Sequence, residues 1–219
     1  ASIDGSTLTV VPDLDYSGDI EVSVVVSDGV LTDSDTFILN VLNLNDAPIV
    51  NQIADETIFE DDTFTLTVSG SDVDDLDIIT FSVSADQGAT ASVDGNQITI
   101  TPELDFNGDI QVSVIATDLA GETGEATFTL AVLPVNDAPV LSAIDAQEIN
   151  EDAVLTLDLS ASDVDGDDLS YSASVNDFGF ASIDGSTLTV VPDLDYSGDI
   201  EVSVVVSDGV LTDSDTFIL

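Results

Sequence analysis

Apolar and polar residues alternate along most of this chain with a period of two. The alternation is clearest in Phe64–Val68, Ile98–Ile100, Phe128–Leu130 and Val154–Leu159. Because successive side chains of a strand point to opposite faces of the sheet, this pattern predicts strands with one buried face. No stretch has the periodicity of a helix, so we predict an all-β fold.

Turn residues separate the predicted strands at short intervals. Asp94-Gly95 and Asp184-Gly185 lie between alternating runs and predict tight hairpin turns. Six to seven short strands per roughly ninety residues, separated by turns, are typical of a Greek-key β-sandwich.

The chain is built from repeats. Residues 1–39 are identical to residues 181–219, and a diverged copy begins at Ala91. The repeat length of roughly ninety residues predicts tandem domains. We therefore expect the back half of a domain at residues 1–45, a complete domain at 46–137 and a nearly complete domain at 138–219.

Short Asn-Asp-Ala-Pro segments join the predicted domains. They end at Pro48 and Pro139, and each proline restricts the residue before it to an extended conformation. The chain should therefore cross each junction extended, with the oxygen atoms of an asparagine and an aspartate placed in the linker.

The charge of the chain is one-sided. It contains 45 Asp and Glu residues and no Lys, Arg or His. Every carboxylate must therefore be solvated, hydrogen-bonded or neutralised by a bound cation, and nucleic acid and anionic membrane surfaces are excluded as electrostatic partners. A hydrophobic content of 43% in strand-like alternation favours an ordered chain over a disordered one.

Composition also argues against catalysis. The chain has no Cys or His, which excludes thiol nucleophiles and the usual zinc sites, and only carboxylate-pair chemistry remains for an enzyme. No Asp-Thr-Gly motif is present, and identical repeats indicate multiplied structure. We predict that the chain is not an enzyme.

No apolar run approaches 18 residues, so we expect no membrane insertion.

Acidic residues cluster at matching places in each repeat. Clusters lie before the second strand, in a loop after it, in Leu-Asp-aromatic turns and at the end of a long strand. Carboxylates spaced by one residue in a turn can converge on Ca²⁺, which takes six to eight oxygen ligands. The alternative is that these are turn formers with solvated charges, but that explains poorly why the clusters recur beside an Asn-Asp linker. The cluster that begins at Asp163 is not an EF-hand, because Ser174 occupies the twelfth position where a glutamate is required.

The ordered set of motifs resembles a known family. The Asp-X-Asp loop in Ala161–Gly166, the strand end at Ala116–Asp118 and the Asn-Asp-Ala-Pro linkers are similar to those of bacterial cadherin-like (Ig-like) repeats of large, calcium-dependent RTX-type surface adhesins. The resemblance covers essentially the whole chain. The linkers are shorter than the family pattern, and Asn107 and Ser197 stand where the family has a glutamate, which implies fewer or weaker ions per junction.

The resemblance implies metal ligands at both junctions. The junction after residue 45 would use Asp15, Asn45, Asp46, Asp72, Asp74 and Asp118. The junction after residue 137 would use Glu60, Asp105, Asn136, Asp137, Asp163, Asp165 and Asp208, and the matching positions Glu151 and Asp195 complete the expected set.

The predicted function is that of calcium-rigidified extender repeats of a bacterial cell-surface adhesin that mediates attachment. The expected cofactor is Ca²⁺, the expected location is extracellular, and the expected partners are neighbouring repeats. Two alternatives stay open. One is a calcium-dependent carbohydrate-binding module, which would need an exposed aromatic platform and would take extracellular polysaccharide. The other is a subunit of a self-assembling filament or surface layer, in which other copies of the chain are partners.

Overall fold

The computed structural model describes residues 1–74 and 78–219, and within these ranges the chain is built of strands and contains no helix. It divides into two compact units, residues 1–134 and 135–219. No helix long and apolar enough to cross a membrane is found in the described residues. The predicted all-β fold is confirmed.

The first unit begins with an N-terminal segment, residues 1–45. It contains two antiparallel hairpins: β1 (Ser2–Asp4) pairs with β2 (Thr7–Thr9), and β3 (Gly18–Ser27) pairs with β4 (Thr32–Val41).

A middle repeat, residues 46–134, completes the first unit. Its strands are β5 (Ile49–Val50), β6 (Glu56–Phe59), β7 (Phe64–Thr67), β8 (Gly70–Ser71), β9 (Thr80–Ala85), β10 (Ala89–Asp94), β11 (Gln97–Pro102), β12 (Gly108–Thr117) and β13 (Thr123–Leu133). One sheet has the order β6-β13-β12-β9 and the other β10-β11-β7, while β5 pairs with β8. Only the β6–β13 pair is parallel among the strand pairs of the described chain.

The second unit is the C-terminal repeat, residues 135–219. Its strands are β14 (Val140–Leu141), β15 (Leu155–Asp158), β16 (Ala161–Ser162), β17 (Ser170–Val175), β18 (Gly179–Asp184), β19 (Thr187–Pro192), β20 (Glu201–Ser207) and β21 (Thr212–Ile218). The sheets have the orders β15-β19-β18 and β17-β20-β21, and β14 pairs with β16.

Each repeat has its own core between its two sheets. In the middle repeat Ile98 and Ile100 of β11 pack with Ile110 and Val112 of β12. In the C-terminal repeat the equivalent cluster contains inward residues of β19, β20 and β21, together with the residue just before β20 and the residue just after β21: Leu188, Val190, Ile200, Val202, Val204, Val206, Phe217 and Leu219. The alternation seen in the sequence therefore reports which side chains face the core.

The two repeats hold their first strand in different ways. In the middle repeat β13 approaches the linker so closely that a Cβ on Gly124 would lie 1.9 Å from the backbone oxygen of Pro48. In the C-terminal repeat Asp213 of β21 accepts a hydrogen bond from the backbone N–H of Leu141 in β14, at 2.8 Å. Asp215 likewise accepts one from Ile144, at 2.7 Å. The start of the middle repeat therefore lies directly against the backbone of β13, whereas the start of the C-terminal repeat is joined to β21 by hydrogen bonds to two carboxylates.

We expect Gly124→Ala to destabilise the middle repeat by about 1–3 kcal/mol, because the added methyl group overlaps the Pro48 carbonyl. Thermal unfolding followed by circular dichroism measures the change. Thr123→Ala is the matched control, since Thr123 is exposed and adjacent. Equal melting temperatures for the two variants would show that the close approach at Gly124 does not limit stability.

Candidate functional site

Three aspartates converge in the loop between β16 and β17 of the C-terminal repeat. Carboxylate oxygens of Asp163, Asp165 and Asp167 lie within 4.8 Å of one another. Asp163 Oδ1 accepts hydrogen bonds from the backbone N–H groups of Asp165 (3.0 Å) and Asp167 (3.3 Å), which curls the loop around that carboxylate. Loss of solvation, followed by the negative charges of Asp163 and Asp165, raises the pKa of Asp167.

The linker is attached to this loop and to the end of a strand. The backbone N–H of Asp137 donates to Asp165 Oδ2 at 2.8 Å. The side-chain amide of Asn136 donates to Asp208 Oδ2 at 2.8 Å and to the backbone oxygen of Asp137 at 3.1 Å. Since Asn136 donates through Nδ2, its Oδ1 is the side-chain atom suited to a cation.

Asp208 holds the tight turn after β20. Its Oδ1 accepts the backbone N–H groups of Val210 and Leu211, each at 2.6 Å. The Asn136 amide, and then these N–H groups, hold the pKa of Asp208 below its usual range. Asp28 lies in the identical turn of the N-terminal segment, where the N–H groups of Leu31 and Val30 lower its pKa.

The middle repeat contains the same arrangement. Asn45 donates to Asp118 Oδ2 at 2.8 Å, the backbone N–H of Asp46 donates to Asp74 Oδ2 at 2.8 Å, and that of Asp74 donates to Asp72 Oδ1 at 2.9 Å. The hydrogen bond from Asn45 is the main cause of the lowered pKa of Asp118, which is buried. Both repeats therefore have the same hydrogen-bonded arrangement. It joins the Asn-Asp pair of the linker to the Asp-X-Asp loop and to the aspartate at the end of the long strand.

The N-terminal segment contributes a further carboxylate to the site in the middle repeat. Loss of solvation, followed by the charges of Asp15, Asp74 and Asp72, raises the pKa of Asp46. An open cleft of about 510 Å³ is lined by Asp13, Asp15 and Asp46, among other residues. Because Asp15 precedes the linker and Asp72 and Asp74 follow it, Asp46 is repelled by carboxylates from both sides of the linker.

One carboxylate oxygen in each site is buried without a partner. Asp72 Oδ2 and Asp163 Oδ2 are inaccessible to solvent and have no hydrogen-bond partner. A buried ionised oxygen without a partner is costly, and no side-chain cation exists in the sequence to pair with it. Its neighbours are carboxylate and amide oxygens, which are the ligands that a hard divalent cation prefers. The donor set therefore fits calcium at matching positions of the two repeats.

A second acidic feature lies in two facing turns of each repeat. Asp61 Oδ1 accepts the backbone N–H of Asp105 at 3.3 Å, and Asp152 Oδ1 accepts that of Asp195 at 3.0 Å. All four residues have a positive φ of 55–64°. Asparagine and aspartate tolerate this left-handed conformation better than other non-glycine residues.

Most of the predicted ligands fall into these groups. The sites at the linkers contain Asn45, Asp46, Asp72, Asp74, Asp118, Asn136, Asp137, Asp163, Asp165 and Asp208, with Asp15 acting on Asp46. Asp105 and Asp195 lie in the facing turns, next to which Glu60 is buried and Glu151 is exposed. Glu60 and Asp105 belong to the first unit, whereas the residues around Asp163 belong to the second.

Three participants were not in the predicted ligand set. Asp167 joins the loop cluster, Asn43 donates to Asp74 Oδ1 at 2.8 Å, and Asp152 braces Asp195. Asp167 and Asp152 could have been found because each lies in a recurring acidic cluster. Asn43 has no such signal, since Pro134 occupies the matching place in the other linker. Asp75, which follows Asp74 in the acidic loop of the middle repeat, lies outside the described residues.

Comparison with known proteins decides the family. A family model described as bacterial Ig domain matches residues 45–131 and again residues 136–219. The chain belongs to the bacterial Ig domain family. No curated protein matches this bacterial Ig-domain sequence.

Solved structures with a similar fold include fragments of cadherins. Mouse cadherin-23 EC22-24 is 19% identical, with a TM-score of 0.54 over 91% of this chain and 73% of that one. The extracellular cadherin domains 1-4 of protocadherin gamma B7 are 18% identical, with a TM-score of 0.52 over 92% of this chain and 57% of that one. This bacterial Ig-domain chain thus spans little more than half the length of the protocadherin fragment, and at this identity the likeness shows the fold. The expected cadherin-like, Ig-like architecture is confirmed.

We expect Asn136→Ala to raise the pKa of Asp208 toward the ordinary value of about 3.9, because the amide that stabilises the carboxylate is removed. A lowered carboxylate pKa stabilises the fold above the ordinary value, and this contribution is lost as the pH falls through the lowered pKa. The variant should therefore lose acid resistance in this repeat. Carbonyl NMR titration of the calcium-free chain measures the pKa.

Asp28 is the internal control for this titration, because the same turn holds it through Leu31 and Val30 without the Asn136 amide. Its pKa should not change in the Asn136→Ala variant. An unchanged pKa for Asp208 would contradict the assigned cause.

Proposed function

We propose that the chain is a calcium-binding, calcium-rigidified segment of a bacterial cell-surface adhesin. The observation that carries the proposal is the repeated site in which a buried carboxylate oxygen, Asp72 Oδ2 or Asp163 Oδ2, has no partner beside an Asn-Asp linker. The family match and the cadherin-like fold support it, because Ig-like and cadherin-like repeats are typical of adhesion proteins.

Calcium would supply positive charge where the chain has none. In the middle repeat Asp72, Asp74 and Asp46 would hold the ion with the Oδ1 oxygen of Asn45. In the C-terminal repeat Asp163, Asp165 and Asp167 would be the corresponding carboxylates, with Asn136 in the linker. The loss of solvation and the mutual repulsion that together raise the pKa of Asp46 and Asp167 would destabilise each site without calcium.

The site in the middle repeat also explains how calcium would stiffen the array. The charge of Asp15, from the N-terminal segment, acts on Asp46 together with the charges of Asp72 and Asp74. A cation held there would attract carboxylates that precede and follow the linker, and so would restrict its motion. Neighbouring repeats are then the principal partners of one another.

An extracellular location fits this chemistry. Extracellular modules bind Ca²⁺ with dissociation constants of about 10⁻⁴–10⁻³ M, so repeats of this kind would fill with calcium only after export. The attachment target of the adhesin would be bound by another part of a longer protein.

The first test is thermal unfolding in EGTA and in 10 mM CaCl₂. For a site of the affinity given above, calcium should stabilise the native state by about 1.4–2.7 kcal/mol per ion. Asp163→Asn should remove the gain of the C-terminal repeat, and Asp72→Asn that of the middle repeat, because each loses the buried charge.

Asp177→Asn is the matched control, since it makes the same charge change on an exposed loop of the C-terminal repeat. It should keep the full response to calcium, and MgCl₂ should stabilise the chain less than CaCl₂. Chymotrypsin cleavage after the exposed Leu42 and Leu44 should slow in calcium, which reports the stiffened linker. An equal response of all variants, or none in the wild type, would refute the proposal.

A carbohydrate-binding role is the second candidate, and one observation favours it. Phe178 is stacked on Tyr196 with the ring centroids 4.5 Å apart and an interplanar angle of 8°, yet Phe178 is 51% exposed. It has a φ of 60°, which is strained for a bulky residue and is typical of functional positions. Phe180, 65% exposed, lies opposite Val191 on the neighbouring strand.

The described residues of the middle repeat contain no such platform at the matching positions. Gly88 stands at the position of Phe178, and a side chain there would overlap the ring of Phe106. Thr90 stands at the position of Phe180. The strongly negative charge of the chain favours a neutral glycan over an anionic one, and flat aromatic faces suit the apolar face of a sugar ring.

The test is binding to immobilised neutral polysaccharides. The wild type should bind, and the double variant Phe178→Gly, Phe180→Thr should not. These substitutions introduce the residues of the middle repeat, so the fold should be kept. Absence of binding by the wild type, or equal binding by both proteins, would reject this candidate and leave the calcium proposal intact.

A further inference from the structure

Strand β18 lies at the edge of its sheet. The sheet has the order β15-β19-β18, so within the described residues β18 pairs with β19 on one side and with no strand on the other. The matching strand of the middle repeat, β10, is also an edge, in the order β10-β11-β7. The open edge is therefore common to both repeats.

The outer side of β18 presents backbone groups that pair with no strand in the described part of the chain. The C=O of Phe178 accepts the N–H of Asp193, in the segment after β19, at 2.9 Å. Successive residues of an antiparallel strand direct their N–H and C=O groups to opposite sides. Ala181 and Ile183 therefore direct these groups away from β19, where another strand could bind them.

This edge lacks the features that protect other edge strands. Such strands are commonly very short or interrupted by charge, proline or a bulge. In the same repeat β21 carries Asp213 and Asp215, and β15 is only four residues long. Strand β18 has six residues and no charge before Asp184 at its end. Its backbone is therefore open to strand addition.

An aromatic anchor distinguishes β18 from the other uncharged edge of this repeat, β17. The outward residues of β17 are serines, whereas β18 presents the exposed Phe180. Phe178 lies beside it, with one ring face stacked on Tyr196 and half of its side chain exposed. Gly88 and Thr90 occupy the matching positions of the middle repeat, so β10 has the open edge without the anchor.

Carboxylates flank the anchor. Asp177 precedes Phe178, Asp193 is bonded to it through the backbone, and Asp184 ends the strand; all three aspartates are exposed. A cation beside an aromatic face is attracted by the ring, and an arginine also stacks on it. The surface therefore matches a basic ligand by charge, whereas a second copy of this acidic chain would be repelled.

We propose that the outer edge of β18 binds an extended, basic segment of another protein by strand addition. The segment would pair its backbone with Ala181 and Ile183, and an arginine would lie on Phe180. Asp184 follows on the same face, about 13 Å further along the strand. A second basic residue at position i+4 of the segment would reach it. This interaction does not require the proposed calcium sites.

The neutral-glycan candidate uses the same two phenylalanines, so the two ligands exclude each other. A glycan has no regular series of N–H and C=O groups to pair with the edge, and a neutral one gains nothing from the flanking charges. The open edge and the carboxylates therefore favour the polypeptide at this surface.

The test is fluorescence anisotropy of a short, labelled synthetic peptide titrated with the full chain. The peptide is threonine-rich, to favour an extended conformation, and carries arginines at i and i+4. Measurement in 10 mM CaCl₂ and in EGTA separates this site from the acidic sites at the linkers. Saturable binding is expected in both buffers, and moving the second arginine to i+3, on the opposite face, should weaken it.

Backbone methylation of the peptide distinguishes strand addition from adhesion by charge. N-methyl groups on one alternate set of residues should weaken binding by about tenfold or more, because that set donates its N–H groups to β18. The same groups on the intervening residues should leave binding unchanged, since those N–H groups point away from the protein. The two peptides have equal charge and equal methyl content.

Two substitutions in the chain test the side-chain contacts. Phe180→Thr, which introduces the residue of the middle repeat, and Asp184→Asn should each weaken binding severalfold. Asp145→Asn is the matched control, because Asp145 is exposed and follows Ile144, which is bonded to β21 in the other sheet. All three positions are exposed, so the fold should be kept.

The proposal is overturned if the two methylated peptides bind equally or if Phe180→Thr binds as well as the wild type. It is also overturned if the peptide does not bind, and neutral polysaccharide binding in that case would assign the aromatic surface to a glycan.

Discussion

A single constraint governs this structure: it carries many negative charges and has no side-chain cation to oppose them. Carboxylates that are withdrawn from solvent must then accept hydrogen bonds from N–H groups, and such bonds recur throughout the structure. Asp118 receives two backbone N–H groups and an asparagine amide, while Asp213 and Asp215 hold the first strand of their repeat. Aspartates that serve in other folds as surface charges are here the connectors of loops, linkers and strand edges.

Among the described residues, this supply of donors fails at two places, which have the same position in the two repeats. Asp72 and Asp163 each satisfy one oxygen with backbone N–H groups and leave the other buried without a partner. Because a fold tolerates few groups of this kind, their recurrence supports the proposed cation site. The same carboxylates therefore serve both the fold and the candidate site, because one oxygen of each holds the curled loop that presents the other oxygen.

The sequence predicted the parts of this structure that depend on local pattern. Alternation identified the strands and their inward faces, and the spacing of Asp163 and Asp165 identified the loop, because both signals come from neighbouring residues. Features that depend on contacts distant in sequence were missed. The bridge from Asp213 to Leu141, the stack of Phe178 on Tyr196 and the bond from Asn43 to Asp74 each join segments whose proximity only the fold establishes.

The direction of the linker bonds has a mechanical consequence. Asn45 and Asp46 bond to Asp118 and Asp74 of the repeat that follows them, and Asn136 and Asp137 bond in the same sense to the next repeat. Each linker is thus bonded to the domain after it. When a chain of such repeats is pulled, tension entering a repeat from its N-terminal side meets these polar bonds before it reaches the core. They would yield first, so that each junction could absorb a pull and re-form while the sandwiches stay folded.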